Sequence, residues 1–137
     1  MTDTLKLEIV TPESVAYTAD ARMVTMPAVD GQIGVFARHM PLLTRIEPGE
    51  ILVRTSAGAE QALAIGEGLV IVTGDHIGIV SDMAIEATKI DEAKVEEARQ
   101  RALARLRDKI SDEEVATVNA SLARSLAQLR VKKRRRS

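Results

Sequence analysis

Between Thr88 and Asp91 the spacing of apolar residues changes from every second position to every third or fourth, and this switch divides the chain into two kinds of structure. Ahead of it, Leu5, Leu7 and Ile9 alternate with Lys6 and Glu8, the period of a strand with one buried face, and Thr11-Pro12-Glu13-Ser14 ends the run. Further runs at 23–26, 51–54, 61–65, 69–72 and 77–80 are separated by turn clusters at Asp30-Gly31, Glu47-Pro48-Gly49, Ser56-Ala57-Gly58, Gly66-Glu67-Gly68 and Gly74-Asp75. Short strands at intervals of about ten residues predict an antiparallel sandwich or barrel. Within it, Pro27 is expected to stop the run that precedes it, and Gly49 to take a positive φ in a Pro-Gly turn with a hairpin following. The run 69–72 is apolar on both faces, which predicts a place in the middle of the sheet.

After the switch, Val95, Ala98, Ala102, Leu106 and Ile110 share one face of a helix that Asp91 can cap and that is expected to reach about Lys109. Ser111-Asp112-Glu113-Glu114 reads as a capping box, and Val115, Val118, Leu122, Leu126 and Leu129 carry the stripe of a second helix. So short a joint predicts antiparallel packing. Much of the seam is alanine (Ala93, Ala98, Ala102, Ala116, Ala123, Ala127), and burying a methyl removes far less surface than burying a leucine, at about 25 cal/mol per Å². The hairpin should therefore be held by a modest margin and be able to exchange one supporting surface for another. The predicted fold class is α+β: an N-terminal antiparallel β-sandwich domain over 1–86 and a C-terminal antiparallel two-helix hairpin over 87–137.

The formal charge of −1 conceals a sharp division. Residues 1–88 hold 5 Lys and Arg against 12 Asp and Glu, whereas residues 89–137 hold 14 against 8, so an acidic body carries a basic arm. The halves attract each other, and each can attract something else. The basic tail, Arg130, Lys132, Lys133, Arg134, Arg135 and Arg136, would by itself be a solvated terminus; with Arg124 on the same helix it suits an anionic surface, because guanidinium forks grip carboxylates in pairs.

Several function classes are disfavoured by composition. Tyr17 and Phe36 are the only aromatic residues, which leaves no stacking platform for single-stranded nucleic acid, and the acidic half would oppose any nucleic acid. The absence of cysteine excludes disulfides, thiolate metal sites and thiol nucleophiles. No run reaches the about 18 apolar residues of a membrane helix, and Met1-Thr2-Asp3-Thr4 lacks the basic-then-apolar build of a signal peptide. The expectation is a soluble, cytosol-facing protein whose membrane link goes through a partner. His39 and His76 have no carboxylate or histidine at metal-ligand spacing, so neither is expected to be catalytic or to bind metal. Gly66-Glu67-Gly68-Leu69 lacks the helix and the Lys-Ser/Thr of a phosphate loop and reads as a tight turn.

The stretch most suited to a partner runs from Asp30 to Leu43. Gly31 and Gly34 are read as sites of tight turns, Met40-Pro41 as extended, and Ile33, Val35 and Phe36 as a shared apolar rib that holds polar tips at Gln32, Arg38 and His39. Its pattern, acidic-Gly-x-Ile-Gly-Val-x-x-x-His-x-Pro-Leu-Leu-Thr, resembles the signature of the ATP synthase delta/epsilon family, the epsilon subunit of bacterial F-type enzymes and the delta subunit of mitochondrial ones. The resemblance continues in Glu47-Pro48-Gly49, in Gly66-Glu67-Gly68-Leu69 and in Ala127-Gln128-Leu129-Arg130-Val131, and so spans nearly the whole chain.

The resemblance implies a non-catalytic central-stalk subunit of a proton-translocating F-type ATP synthase, peripheral at the cytoplasmic face of the bacterial plasma membrane. It implies a sandwich bound to the gamma subunit and the c-subunit ring, with ring-facing positions Asp30, Gly31, Gln32, Arg38, His39 and Met40; Gln32 stands where relatives often carry an acid. It also implies a hairpin that can extend towards the alpha/beta catalytic head and inhibit ATP hydrolysis, with Arg124, Arg130, Lys132, Lys133 and Arg134 meeting an acidic segment of beta. Some relatives bind ATP through an Ile/Leu-Asp-x-x-Arg-Ala motif. The corresponding residues here are Ile90, Asp91, Lys94 and Val95, with Arg101 and Arg124 at basic positions, Gln128 for another arginine and Ile85 for an acid. Lysine offers a point charge where the motif has a fork, so at most weak ATP binding is expected, with no other cofactor and no metal. Two other readings remain open on the residues alone: a free cytosolic nucleotide sensor, and a basic-tailed nucleic-acid adaptor.

Overall fold

The alternation at the N-terminus becomes β1 (Leu5–Val10), with Leu5, Leu7 and Ile9 buried and Lys6 and Glu8 exposed. The structure, a computed structural model, describes residues 4–136; Met1-Thr2-Asp3 and the side chain of Arg136 in the basic tail lie outside the described residues. There follow β2 (Val15–Ala28), β3 (Gly31–Phe36), β4 (His39–Ile46), β5 (Gly49–Thr55), β6 (Glu60–Ile65), β7 (Gly68–Gly74), β8 (His76–Ser81) and β9 (Ala84–Glu86). A single 3-10 turn (Ala87–Lys89) then leads into α1 (Glu92–Leu106) and α2 (Asp112–Arg136).

The strands form two layers joined through β2. The first half of β2 pairs with β1, and its second half pairs with both β3 and β5, with a register irregularity between Ala21 and Met23 where it crosses over. One layer runs β1-β8-β7-β4 and the other continues from β2 through β5 and β6 to β9. All pairings are antiparallel except β1 with β8. Between the layers lies a core of buried Leu, Ile, Val and Met, with the half-buried Tyr17 packed against it, built from Leu5, Leu7, Ile9, Val24, Met26, Ile46, Ile51, Val53, Leu63, Ile65, Val70, Val72, Ile77 and Ile79.

Several expectations need correction. Pro27 does not stop β2, which continues to Ala28. The Pro27 carbonyl accepts from the Glu47 amide at 2.8 Å, and the N–H that proline lacks would point to that same side, away from β3, so the β3 ladder loses no rung. Phe36 does not share a face with Val35: adjacent strand residues point to opposite faces, Val35 is fully buried, and Phe36 is 59% exposed. Gly34 lies inside β3 with open space around it, so it marks no turn, and Gly49 has no positive φ; a Cβ there would meet the Pro27 ring at 3.1 Å. Strand β7 does sit between β8 and β4, but Leu69 and Ile71 face outward on it.

The helices follow local chemistry at their starts. The Asp91 carboxylate accepts from the amides of Ala93 and Lys94 at 3.1 and 3.3 Å, and the Ser111 hydroxyl accepts from the Glu114 amide at 3.2 Å. The end of α1 comes at Leu106, earlier than Lys109, because the amides of Arg107 and Asp108 bond three residues back, to Ala104 and Arg105, and tighten the final turn. On α2 the stripe is also displaced. Leu126 is exposed, whereas Ser125, Ala127 and Val131 are buried, because α2 packs against β5, β6 and the 3-10 turn as well as against α1.

Candidate functional site

A second, smaller core joins the helices to the sandwich. Ala62 and Ala64 of β6, Ala87, Ile90, Val95 and Val131 are all buried together, with Met83, Ile85 and Leu129 packed around them. The small side chains let α2 approach β6 closely, and they limit how much apolar surface holds it there.

Around this core the basic arm is tied to the acidic body by named contacts. The Arg124 guanidinium pairs with Asp82 at 3.1 Å, and the Lys132 ammonium donates to the Ala87 carbonyl at 3.1 Å. At the far end of α2, Glu50 of β5 is 7% exposed and receives two guanidiniums. Its Oε1 accepts from Arg134 at 3.0 Å and from Arg135 Nη2 at 2.9 Å, and its Oε2 accepts from Arg135 Nε at 3.1 Å. Arg135 also lies 3.5 Å from Glu60. Arg130 and Lys133 are exposed. Of the five basic residues expected to meet beta, Arg124, Lys132 and Arg134 are therefore engaged with the sandwich in this structure.

Asp82 owes its position to the glycine pair read from sequence as a tight turn. A Cβ on Gly66 would sit 1.8 Å from Asp82 Oδ1, and one on Gly68 would sit 1.9 Å from the Val80 carbonyl oxygen. The β6–β7 and β8–β9 turns thus touch backbone to backbone, fastened by Gly66 N–H to the Met83 carbonyl at 2.8 Å and by the Ser81 hydroxyl to the Glu67 carbonyl at 3.2 Å. That contact, with Arg124 beyond it, was not legible from the glycines alone.

The two loops expected to face a ring are held at opposite ends of β3. At one end Gly31 takes φ +121°, with Asp30 and Gln32 exposed beside it. At the other end Arg38 occupies the left-handed region at φ 64°, uncommon for a residue with a side chain, and its amide donates to the Gly74 carbonyl at 3.1 Å. His39 Nδ1 lies 2.6 Å from its neighbour's carbonyl oxygen, and Met40 is 79% exposed. The pairing of β4 with β7 slips between His39 and Leu42, so Met40-Pro41 bulges away from the ladder. Across the outer face of β4, β7 and β8, Leu43 lies opposite Ile71, and Leu69 opposite Val80, all four exposed.

The residues at the degenerate nucleotide motif have structural occupations. Ile90 and Val95 belong to the second core, Asp91 caps α1, and Arg124 faces Asp82, while Lys94 and Arg101 are solvent-exposed. His76 opens β8 as an exposed residue. Among the described residues no group of three or more His, Cys, Asp or Glu is placed to hold a metal ion, and no helix is long and apolar enough to cross a membrane.

Comparison with known proteins covers both halves. The family model of the ATP synthase delta/epsilon chain β-sandwich domain matches residues 4–87, and that of the ATP synthase delta/epsilon chain long α-helix domain matches residues 88–133. The ATP synthase epsilon chain of Alkalilimnicola ehrlichii is 35% identical over 133 residues, covering 97% of this chain and 95% of that one. The epsilon chain of Herpetosiphon aurantiacus is 38% identical over 133 residues, with 97% of each chain covered. In fold, the chain resembles one from the Euglena gracilis mitochondrial ATP synthase OSCP/F1/c-ring structure, with a TM-score of 0.73 at 18% identity over 93% of this chain and 80% of that one. A chain from the Tetrahymena thermophila mitochondrial central stalk/c-ring structure gives a TM-score of 0.62 at 14% identity, covering 93% and 96%.

Proposed function

The chain belongs to the ATP synthase delta/epsilon chain family, and from that premise we propose how its acidic body and basic arm divide the work of a central-stalk subunit. It is a non-catalytic subunit of the ATP synthase complex, serving ATP synthesis and ion transport through that assembly. The sandwich docks on the gamma subunit through the apolar face of Leu43, Leu69, Ile71 and Val80, a patch a freely soluble domain would not keep exposed without a partner. The turns at Asp30, Gly31 and Gln32 and at Arg38, His39 and Met40 lie at the two ends of β3, so the ring meets the length of that edge strand rather than one loop tip. Membrane attachment at the cytoplasmic face of the bacterial plasma membrane runs through these contacts.

The observation that carries the regulatory part of the reading is that Arg124, Lys132 and Arg134 are held by the Asp82 carboxylate, the Ala87 carbonyl and the Glu50 carboxylate. An acidic segment of beta offers the same chemistry, so the arm has two mutually exclusive supports. Docked on the sandwich, the hairpin leaves the shaft free; extended, it opposes hydrolysis. ATP binding by the hairpin is at most weak, because the motif has lost its guanidinium fork at Lys94 and Arg124 is directed to Asp82.

Replacing Arg124 and Arg130 together by glutamine in the reconstituted enzyme relieves inhibition of ATP hydrolysis and leaves assembly with gamma and the ring intact. Unchanged hydrolysis in that double variant contradicts the inhibitory role. Failure of the chain to join gamma contradicts the stalk assignment.

A further inference from the structure

The Glu50 carboxylate is unusual among the acidic groups of the sandwich. It stands on β5 opposite Ala64 of β6, on the side covered by α2, and its side chain is 6% exposed, whereas the partners of Arg45 and Arg54 remain largely in solvent. A carboxylate taken this far from water keeps its charge at low cost only while donors satisfy it. The donors here come from the last turn of α2, 84 and 85 residues away in sequence, and they enclose both carboxylate oxygens.

We propose that Glu50 is the latch that sets the resting position of the hairpin, because it requires Arg134 and Arg135 and therefore keeps them from carboxylates outside the sandwich. This rests on the reading above that the basic arm can leave the sandwich. Three of the six buried residues in the contact beneath α2 are alanines, which limits the apolar burial that holds it, and the arginine pair decides how firmly the end of the helix is seated. Opening has a built-in counterweight: once α2 lifts, Glu50 is reached by water, which offsets part of the loss, so the latch is reversible rather than a permanent staple. The latch also resists salt better than the exposed Arg45–Glu67 pair, because the carboxylate it uses is shielded from counter-ions.

The test is amide hydrogen exchange on the full-length chain, comparing the wild type with Glu50→Gln, with the double variant Arg134→Gln/Arg135→Gln, and with all three changes together. Exchange over residues 123–135 is expected to rise about tenfold in Glu50→Gln and in the arginine double variant, and no further in the triple variant, since the three side chains act as one unit. Amides of β1 and β7 keep their wild-type protection. Unchanged exchange of α2 in both variants overturns the latch, as does an additive effect in the triple variant. Should Glu50→Gln disturb the sandwich itself, the arginine double variant, whose changes lie on the helix, decides the matter against a Glu60→Gln control that removes only the Arg135–Glu60 contact. In the reconstituted enzyme Glu50→Gln deepens inhibition of hydrolysis. Faster exchange with unchanged hydrolysis would uphold the latch while removing the inhibitory role of the arm, so the two readings fail separately.

Discussion

Adding one methyl group at Gly68 or at Gly66 gives two different outcomes, although the residues flank the same turn. At Gly68 the new Cβ falls 1.9 Å from the Val80 carbonyl oxygen and 2.9 Å from Ser81 Cα, all backbone atoms of the paired strand β8. Neither side can rotate away, so β7 and β8 must separate by more than an ångström where Gly68 faces Ser81, breaking ladder bonds and opening the core near Val70 and Ile79. Overpacking of this kind costs typically 1–3 kcal/mol, and with backbone on both sides the upper end, about 3 kcal/mol, applies. At Gly66 the nearest atom is Asp82 Oδ1, at 1.8 Å, the tip of a side chain that can turn out. The turn survives, but Arg124 loses its partner, an ion pair with side chains 32% and 39% exposed whose worth is roughly 0–1 kcal/mol. Neither position has a positive φ, so the alanine backbone itself is unstrained and the difference is steric. For a chain of this size the melting temperature should fall by roughly 10 °C in Gly68→Ala and by no more than about 3 °C in Gly66→Ala. Hydrogen exchange in Gly66→Ala should nonetheless quicken over residues 120–128. Thermal unfolding followed by circular dichroism decides it: a Gly68→Ala protein melting within about 2 °C of the wild type would refute the close-approach argument.

Val131→Ala removes two buried carbons from the second core, costs roughly 1.6 kcal/mol at about 0.8 kcal/mol per methylene, and should loosen α2 without lowering the protection of β1 in hydrogen exchange. Burial first and then the nearby Glu86 carboxylate raise the Tyr17 phenol above its ordinary value of 10.0. The folded state therefore favours the protonated phenol. Its contribution is intact below the unfolded value and is lost as pH climbs through the raised one, so Tyr17→Phe should flatten the alkaline stability profile. Because Tyr17 is the only tyrosine, its phenolate absorbance reports this titration alone; a midpoint at or below 10.0 would contradict the assignment. Isothermal calorimetry of the isolated chain should detect no tight ATP binding, and micromolar affinity would overturn the account of the degenerate motif.

What could be read in the sequence was the chemistry that acts over a few residues. The alternation of β1, the Asp91 and Ser111 caps, and the turns at Gly31, Gly58 and Gly74 are settled by near neighbours, and the residues state them openly. The first half of β2 shows no strand pattern of its own, because Val15, Ala16 and Ala19 bury little; it becomes a strand by pairing with β1, from Val10 with Val15 out to Leu5 with Ala21. Phe36 takes the outer face because adjacent strand residues alternate, so it cannot share a rib with Val35. On α2 a single stripe cannot describe a helix with two surfaces to cover, and Val131, which lies off that stripe, is buried. The charge division was plain, but no local pattern marks Glu50 as different from the other acids of the body. Its burial follows only when the end of α2 folds back over β5.

The central claim is that one basic arm serves two supports in turn. Glu47 and Ala123 both line the cleft between the β4–β5 turn and α2, and the chain has no native cysteine, so a cysteine at each position can be joined by a short cleavable crosslinker in the assembled enzyme. With the link closed, ATP hydrolysis should run uninhibited, and cleavage of the link should restore inhibition. Inhibition that persists while the helix is tethered to the sandwich would contradict the claim.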